Sequence, residues 1–556
     1  MSSFNLLDEK WLKVVTKNTN EVIDVSLIEL FENAQDFKIL AGEMKTQDFS
    51  VLRLLLAVLH TVYSRFNVDG KVYDYLEVDE MYRQKDDVSE DDLEDYKEEL
   101  METWKNLWKK GKFSKIVLDY LEKWREHFYI FDEQHPFYQV TKEEIYSNID
   151  EGKKPTRIAI KNINRLISES ENKIALFSPK SDDNDNKNDV TNEELARWLI
   201  MFQGYTGNLD KRKVKKKSYS SSKGWVYDIG GIFFEGNNLF ETLLLNLALV
   251  HPSQDYVTLS KEKPCWEFSG EENIQASFND ISNLSELYTN WSRAIYLDKS
   301  LSNEKKIDLD IVKMPNIEHT NNFLELMTMW RYNKTGSNKD KFTPKKHTFG
   351  QSLWRSFGMI SIHHNEKIPD VGIVTWYEKI YNFVESNKIT LKSVSMQDDG
   401  NATSWVPTNE IVDELKIDNM LLFDDEDNGW TIRINDIVEE TKQVIEINYK
   451  SFLDEIKEIR NYSKKNKFIA NKIEILYSSI DNPFKNWLFN IDEMSKKDDK
   501  IFEWRKTFKN IIIQSAQEIL NQSNPRDLKG IKKDDKIKNV PMIYNTFEAN
   551  INKILG

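Results

Sequence analysis

The segment Val444-Ile-Glu-Ile-Asn-Tyr-Lys-Ser-Phe-Leu-Asp-Glu-Ile-Lys-Glu-Ile459 carries the pattern that decides the fold of the C-terminal part of the chain. Its apolar side chains recur every three or four residues, which places them on one face of a helix. The spacing returns downstream at Ile469, Ile473, Leu476 and Ile480, at Trp504, Phe508 and Ile511, and at Ile543, Phe547, Ile551 and Ile554. One-sided helices must bury their stripes on one another, so residues 429–556 are predicted to form a four-helix bundle.

The residues before the bundle mix helical and strand-like patterns, which predicts an α+β class with a large, mostly helical N-terminal domain over 1–428. The apolar run from Leu52 to Leu59 predicts a buried helix, far shorter than the ~20 residues that span a bilayer. Thr191-Asn-Glu-Glu194 fits a capping box and predicts a helix start. The Val, Ile and Phe content of 225–234 predicts a pair of strands.

The charge of this chain is unevenly distributed. The net charge is −15, and residues 79–100 contribute −8 of it, with eleven acidic residues against three basic ones. By contrast, Lys211-Arg-Lys-Val-Lys-Lys-Lys217 packs six cations into seven residues. Because binding follows the local field rather than the total charge, the acidic balance does not exclude a nucleic-acid partner.

The compartment is indicated by two features of the sequence. The single Cys265 excludes an intrachain disulfide framework and a cysteine zinc cluster, and it fits a reducing environment. The N-terminus lacks a basic region followed by an apolar run. We therefore expect a cytoplasmic protein with no membrane partner.

No arrangement of residues in the sequence organises an acid, a base and a nucleophile. The eight histidines include no helical metal pair, and neither Gly-x-Ser-x-Gly nor a phosphate-binding Gly-x-x-x-x-Gly-Lys-Ser/Thr loop occurs. The run Asp424-Asp-Glu-Asp427 could bind a divalent cation, but a solvated linker before the bundle is the favoured interpretation. We predict a protein without catalytic residues, bound metal or cofactor.

A set of aromatic-anchored segments gives the chain a family resemblance. They are Phe4-Asn-Leu-Leu-Asp-Glu-Lys-Trp11, Val25-Ser-Leu-Ile-Glu-Leu-Phe31, His135-Pro-Phe-Tyr-Gln139, Glu194-Leu-Ala-Arg-Trp-Leu199, Pro264-Cys-Trp-Glu267, Leu287-Tyr-Thr-Asn-Trp-Ser-Arg293 and Ser352-Leu-Trp-Arg-Ser356. In this order they resemble the CasA family, the large subunit of the type I-E CRISPR surveillance complex (Cascade). The resemblance implies a non-catalytic subunit of a guide-RNA ribonucleoprotein. Such a subunit recognises the protospacer-adjacent motif in double-stranded DNA, helps to unwind the target and supports recruitment of the helicase-nuclease in antiviral defence. Some members carry a cysteine-rich zinc insert, where this chain has Leu297-Asp-Lys-Ser-Leu-Ser-Asn.

The resemblance also implies candidate DNA-binding residues. The segment Ser220-Ser-Ser-Lys-Gly-Trp225 stands where the family has a glycine-rich loop, so Lys223 and Gly224 are candidates, with a plain turn glycine as the alternative. Met396-Gln-Asp-Asp-Gly-Asn-Ala-Thr-Ser-Trp405 resembles the family's wedge hairpin, which nominates Gly400, Asn401 and Ala402; an Asp-Gly turn explains the same residues. Phe177, before the polar loop 178–189, contacts either DNA or the core.

The basic run is a candidate on charge alone. Lys211, Arg212, Lys213, Lys215, Lys216 and Lys217 would bind phosphates without sequence preference, unless the run is only a solvated loop.

Two other functions remain open from the sequence. One is a helical scaffold subunit without direct DNA reading. The other is a metal-dependent nuclease of the same system, in which Asp424 and Asp425 would hold the metal.

Overall fold

The structure is a computed structural model of the 556-residue chain. It describes residues 4–556 except 161–162, 164–189, 209, 216–218, 222, 254–260, 299–306, 364–368, 402–404, 425–428 and 534–535. None of the described helices combines the length and apolarity needed to cross a membrane.

Helices dominate a mixed architecture. In chain order they are α1 (Leu27–Glu32), α2 (Lys45–Tyr63), α3 (Leu93–Lys110), α4 (Lys115–Lys123), α5 (Lys142–Ser147), α6 (Asn192–Tyr205), α7 (Leu239–Leu245), α8 (Gly270–Ala276), α9 (Leu284–Tyr288), α10 (Phe357–Ile360), α11 (Gly372–Ile380), α12 (Trp430–Gln443), α13 (Lys450–Arg460), α14 (Phe468–Phe489), α15 (Lys497–Asn521), α16 (Pro525–Lys529) and α17 (Val540–Ile554).

The strands form small sheets of two or three strands each. They are β1 (Leu12–Thr16), β2 (Val22–Val25), β3 (Phe37–Leu40), β4 (Thr156–Ala159), β5 (Gly231–Glu235), β6 (Arg293–Asp298), β7 (Asp308–Lys313), β8 (Trp330–Tyr332), β9 (Phe342–Pro344), β10 (Lys388–Asp398), β11 (Pro407–Asp418), β12 (Ile531–Lys533) and β13 (Lys536–Lys538). The sheet orders are β2-β1-β3, β4-β7-β6, β11-β10-β5, β8-β9 and β12-β13. The predicted mixture of helix and strand is confirmed.

The chain divides into two compact units. The first comprises Met1–His347, Val371–Glu385 and Leu391–Val412, and the second comprises Thr348–Asp370, Ser386–Thr390 and Asp413–Gly556. The second unit thus begins before the predicted boundary near 428 and includes two earlier segments. Helical periodicity does not reveal the side-chain contacts that attach the segment 348–370: for example, Trp354 stacks on Phe484 at 4.1 Å between ring centroids and donates to Asp481 at 2.7 Å.

The core of the first unit is built around α2. Every residue of this helix from Thr46 to Tyr63 except Asp48 is buried, as expected for a helix enclosed on all sides. It packs against α4, α6, α7 and α9. The predicted buried helix at Leu52 to Leu59 is confirmed, and so is the capping box of α6, in which Thr191 and Glu194 bond to each other's backbone amides.

Two arginines of the chain are fully buried at and just beyond α2. The Nη1 and Nη2 atoms of Arg53 donate to the two carboxylate oxygens of Glu325 at 2.9 and 2.8 Å. Arg65, just past the end of the helix, does the same with Glu267 at 2.6 and 3.1 Å. Burial alone would raise the pKa of Glu325, but the charge and hydrogen bonds of Arg53 hold that pKa below its usual value. Both partners therefore stay charged inside the core.

In the second unit, α12 continues through a π-helical turn at Val444–Tyr449 into α13. The predicted stripe of Ile445, Tyr449, Phe452, Ile456 and Ile459 is entirely buried. The helix α13 packs against α14 and α17, and α15 packs against α12, α14 and α17.

The predicted pair of strands around 225–234 is only half correct. Trp225–Asp228 forms a 3-10 helix, and the strand β5 begins at Gly231. The 3-10 turn directs the Trp225 side chain into the core, where its Nε1 donates to Glu325 at 2.8 Å. Glu325 lies 100 residues further along the chain, so the local sequence does not reveal this contact.

We predict that Glu325→Gln destabilises the protein by about 3–5 kcal/mol, because Arg53 would stay buried without its counter-charge. The measurement is the free energy of unfolding of the first unit's transition in denaturant. The control is Glu77→Gln, which breaks an ion pair whose carboxylate side chain is 77% exposed and should cost less than ~0.5 kcal/mol. Equal stability of the two variants would refute the importance of the buried pair.

Candidate nucleic-acid interface

Gly224 packs against the end of α6. A side chain there would place its Cβ 2.3 Å from the carbonyl oxygen of Gly204, so only glycine fits. The Gly224 amide donates to Thr206 O at 3.0 Å, and the residue is buried. The close approach that this glycine allows is to the protein's own backbone, which accounts for it as a packing glycine. A contact of Gly224 with DNA remains a prediction.

Lys223 lies among aromatic rings with little exposure. Its Nζ is 2.6 Å from Asp228 Oδ1, and the side chain is 12% exposed. The same ammonium lies 3.7 Å from the ring centroid of Trp405 and 5.4 Å from that of Tyr227. A cation over an aromatic face is attracted by the ring's negative face. Lys223 thus bridges the segment 223–228 and the tip of the β10–β11 hairpin.

In the tip of that hairpin, residues 399–406, the described residues 399–401 and 405–406 are joined by their own polar groups. Asp399 N donates to Val406 O at 3.0 Å, and Trp405 N donates to Asn401 O at 2.8 Å. Gly400 adopts a φ of +71°, as the Asp-Gly turn predicts, and its amide donates to Asp398 Oδ1 at 2.9 Å. Gly400 and Asn401 are exposed, while Ala402 lies outside the described residues.

Trp405 is held in an uncommon backbone conformation. Its φ is +47°, in the left-handed region that bulky side chains rarely adopt. Tyr227 Oη donates to its carbonyl oxygen at 2.8 Å, and Lys223 lies over its ring. Such strain persists only where the surroundings determine the conformation, which is common at binding sites.

A second lysine completes the attachment of the hairpin tip. Lys346 Nζ lies 3.1 Å from Asp398 Oδ2 and 4.5 Å from the Tyr227 ring centroid. Burial lowers the pKa of Lys346, and Asp398 opposes that shift. We call Lys223, Tyr227, Lys346, Asp398 and Trp405 the hairpin latch. It brings together two of the sequence-predicted places, the 220–225 segment and the wedge-like hairpin.

Trp225 anchors the segment that carries Lys223 and Tyr227 to the core. Its ring stacks on His319 at 4.2 Å between centroids, and its Nε1 bonds to the buried Glu325. Burial lowers the pKa of His319 even though Asp228 lies nearby. A neutral His319 fits a stacked, enclosed position.

The described part of the basic run is anchored along β7. Lys213 forms a parallel bridge with Lys313, and Arg212 Nε donates to Lys154 O at 3.0 Å. Lys213 Nζ donates to Tyr219 O at 2.9 Å. The alternating residues Lys211, Lys213 and Lys215 are exposed. The backbone is therefore fixed, while these cations face the surface.

Several of the predicted DNA-binding residues cannot be compared with the structure. Phe177, the loop 178–189, Lys216 and Lys217 lie outside the described residues. In the acidic run only Asp424 is described: it accepts from Trp430 N at 2.8 Å at the start of α12 and lies 3.2 Å from Lys497 Nζ. Within the described part of the chain, no group of three or more His, Cys, Asp or Glu side chains is placed to hold a metal ion.

Sequence reasoning missed Tyr227, Asp228, His319 and Lys346. A signal for Lys346 was present, because Arg331–Lys346 contains six cations and one acidic residue. The roles of Tyr227 and His319 come only from contacts across the chain, so no local signal could have identified them.

Comparison with known proteins connects this geometry to a family. A family model described as CRISPR-associated protein Cse1 matches residues 5–515. A relative, the CRISPR-associated protein CasA/Cse1 of Thermus thermophilus, is 26% identical over 270 residues, which are 48% of this chain and 42% of the relative. The aligned part thus spans less than half of that relative's length.

Solved structures share the fold across the chain. Cse1 of Thermobifida fusca has a TM-score of 0.77 at 20% identity, covering 100% of this chain and 98% of that one. A chain of a structure described as a CRISPR RNA-guided surveillance complex has a TM-score of 0.68 at 13% identity, covering 99% of each. At such identities the likeness shows the fold alone. The family model, however, covers most of the sequence and confirms the resemblance to CasA: the chain belongs to the Cse1 family of CRISPR-associated proteins.

Proposed function

We propose that this chain is the non-catalytic large subunit of a type I-E CRISPR RNA-guided surveillance complex. It recognises the protospacer-adjacent motif in double-stranded DNA, helps to open the duplex and supports recruitment of a helicase-nuclease. Its partners are the guide-RNA ribonucleoprotein subunits, the target DNA and that effector. Residues 429–556 form a four-helix bundle that packs on other subunits.

The hairpin latch is the observation that carries this proposal. A wedge that separates base pairs has to hold its shape against the cost of unstacking, a few kcal/mol per base step. The tip at Gly400 and Asn401 is exposed, whereas Trp405 and Asp398 behind it are held by Lys223, Tyr227 and Lys346. An exposed polar tip on a fixed base suits insertion into a duplex.

The latch also reduces an electrostatic problem at the tip. Asp398 and Asp399 would repel phosphates if their charges were free. Burial would raise the pKa of Asp398, but the Gly400 amide and Lys346 hold that pKa below its usual value. The carboxylate is therefore charged, and Lys346 offsets that charge locally.

The first test is duplex binding by the guide-RNA complex assembled with and without this chain, on targets that differ only in the flanking bases. We expect flank-dependent binding only when the chain is present. Identical binding with and without it would exclude DNA reading and favour the scaffold function.

We predict that Asn401→Ala slows opening of a closed duplex by roughly fivefold to tenfold, the equivalent of losing one hydrogen bond of about 1 kcal/mol. The readout is a fluorescent base analogue next to the motif. A target with a pre-melted flank should be bound normally, because it no longer needs the wedge. The control Asn471→Ala removes an exposed amide from α14. Equal opening by both variants would exclude Asn401.

The latch itself generates a further prediction. Lys346→Ala and Lys223→Ala should each speed amide hydrogen exchange across residues 399–406, because each removes a contact that holds the tip. Lys392→Ala is the matched control: Lys392 lies on β10, the strand that ends at Asp398, and pairs with Glu235 at 3.2 Å. Unchanged exchange in both latch variants would mean that the hairpin holds its shape without these lysines.

A further inference from the structure

The β8–β9 hairpin is a basic surface element that the sequence analysis did not consider. Trp330–Tyr332 pairs antiparallel with Phe342–Pro344, and residues 333–341 form its loop. The stretch Arg331–Lys346 contains Arg331, Lys334, Lys339, Lys341, Lys345 and Lys346 against Asp340 alone, and six minus one gives +5. In a chain of net charge −15, this is a concentrated positive field. We call residues 330–344 the basic arm.

The basic arm has a fixed shape. Asn333 N donates to Lys341 O at 3.0 Å, and Asp340 N donates to Asn333 O at 2.8 Å, so the pairing continues beyond the strands. The Asn333 side chain also donates to Thr343 Oγ1 at 3.0 Å. Gly336 takes a φ of +85° in the loop. Cations on such an arm keep their spacing, so binding orders little additional backbone.

The charges of the arm face the surface. Arg331, Lys334 and Lys341 are exposed, and within the described residues no carboxylate oxygen lies within 4.0 Å of their side-chain nitrogens. The register pairs Arg331 with Thr343, and Asn333 reaches the same Thr343 across the hairpin. Arg331 and Lys341 thus belong to one face of the arm.

Asp340, the only acidic residue of Arg331–Lys346, contacts other residues of the arm. Tyr332 Oη donates to Asp340 Oδ1 at 2.9 Å, and Lys339 Nζ lies 3.9 Å from Asp340 Oδ2. The Tyr332 side chain remains 46% exposed beside Phe342, at 5.2 Å between ring centroids. By the alternation of the strands, the Tyr332 and Phe342 rings lie on the opposite face from Arg331 and Lys341, so it is the cationic face that suits phosphates.

The arm is continuous with the hairpin latch. Two residues past its end, Lys346 pairs with Asp398, and His347 Nε2 lies 3.0 Å from Gly231 O. Lys346 thus ties the end of the arm to the strand that leads to the tip at Asn401, where the proposed function places the bases of a duplex. We propose that Arg331, Lys334 and Lys341 bind the phosphate backbone of that duplex, independently of sequence. This inference rests on the proposed function, since it needs a duplex at the hairpin tip.

The test measures how the affinity of the assembled guide-RNA complex for a duplex target falls with salt. A protein that neutralises Z phosphates gives a slope of log K against log salt of about −0.9Z. The triple variant Arg331→Ala, Lys334→Ala, Lys341→Ala should therefore reduce the steepness by up to about 2.7. Discrimination between flanking sequences should stay unchanged, because phosphates carry no sequence information.

The matched control is Lys17→Ala, Lys71→Ala, Lys109→Ala, which removes three exposed cations of the first unit that lie outside the arm, the hairpin latch and the basic run. We expect its slope to equal that of the unmodified complex. A triple arm variant with an unchanged slope would overturn the inference and would favour an acidic protein as the arm's partner. Loss of flank discrimination in that variant would also overturn it. If the unmodified chain confers no duplex binding at all, the proposed function itself fails, which is a distinguishable outcome.

Discussion

The buried pair of Arg53 and Glu325 is the interaction on which the candidate interface depends. Arg53 lies on α2, around which α4, α6, α7 and α9 pack, and Glu325 accepts from both Arg53 and the indole of Trp225. Leaving one member of such a pair alone in the core costs several kcal/mol, so the two positions are mutually fixed. Because Trp225 donates to Glu325, its position is fixed as well, and this fixes the neighbouring Lys223 and Tyr227. The geometry of the latch is thus set from inside the core.

In the proposed function, the cations that shape the site differ from those that would attract DNA. Lys223 and Lys346 are partly buried and paired with Asp228 and Asp398, so their charges mainly hold the hairpin. Attraction over distance requires cations that face solvent, such as those of the basic arm and of the run beginning at Lys211. In the proposed function, the acidic remainder of the chain would limit DNA binding elsewhere on its surface.

The sequence predicted what depends on local periodicity. The stripe at Ile445 to Ile459, the capping box at Thr191 and the buried helix α2 are all present. The sequence-based prediction failed where a one-residue shift in helical phase, or a partner distant in the chain, determines which side chain is buried or bonded. In α15 Ile512 is buried rather than the predicted Ile511. The latch joins residues about 180 positions apart, such as Lys223 and Trp405, and no pattern in either segment points to the other.

To bind a phosphate, Lys223 would first have to leave the ring of Trp405 and the carboxylate of Asp228. The contact with Trp405 is worth about 2 kcal/mol at a desolvated site, and Asp228 would lose its partner as well. Moving Lys223 would also remove the support that keeps Trp405 at a positive φ, so the tip would relax as the lysine leaves. Arg331, Lys334 and Lys341 face no such exchange, because they are already exposed. The lower cost favours the arm for phosphate contacts and favours Lys223 as the residue that keeps the wedge in shape.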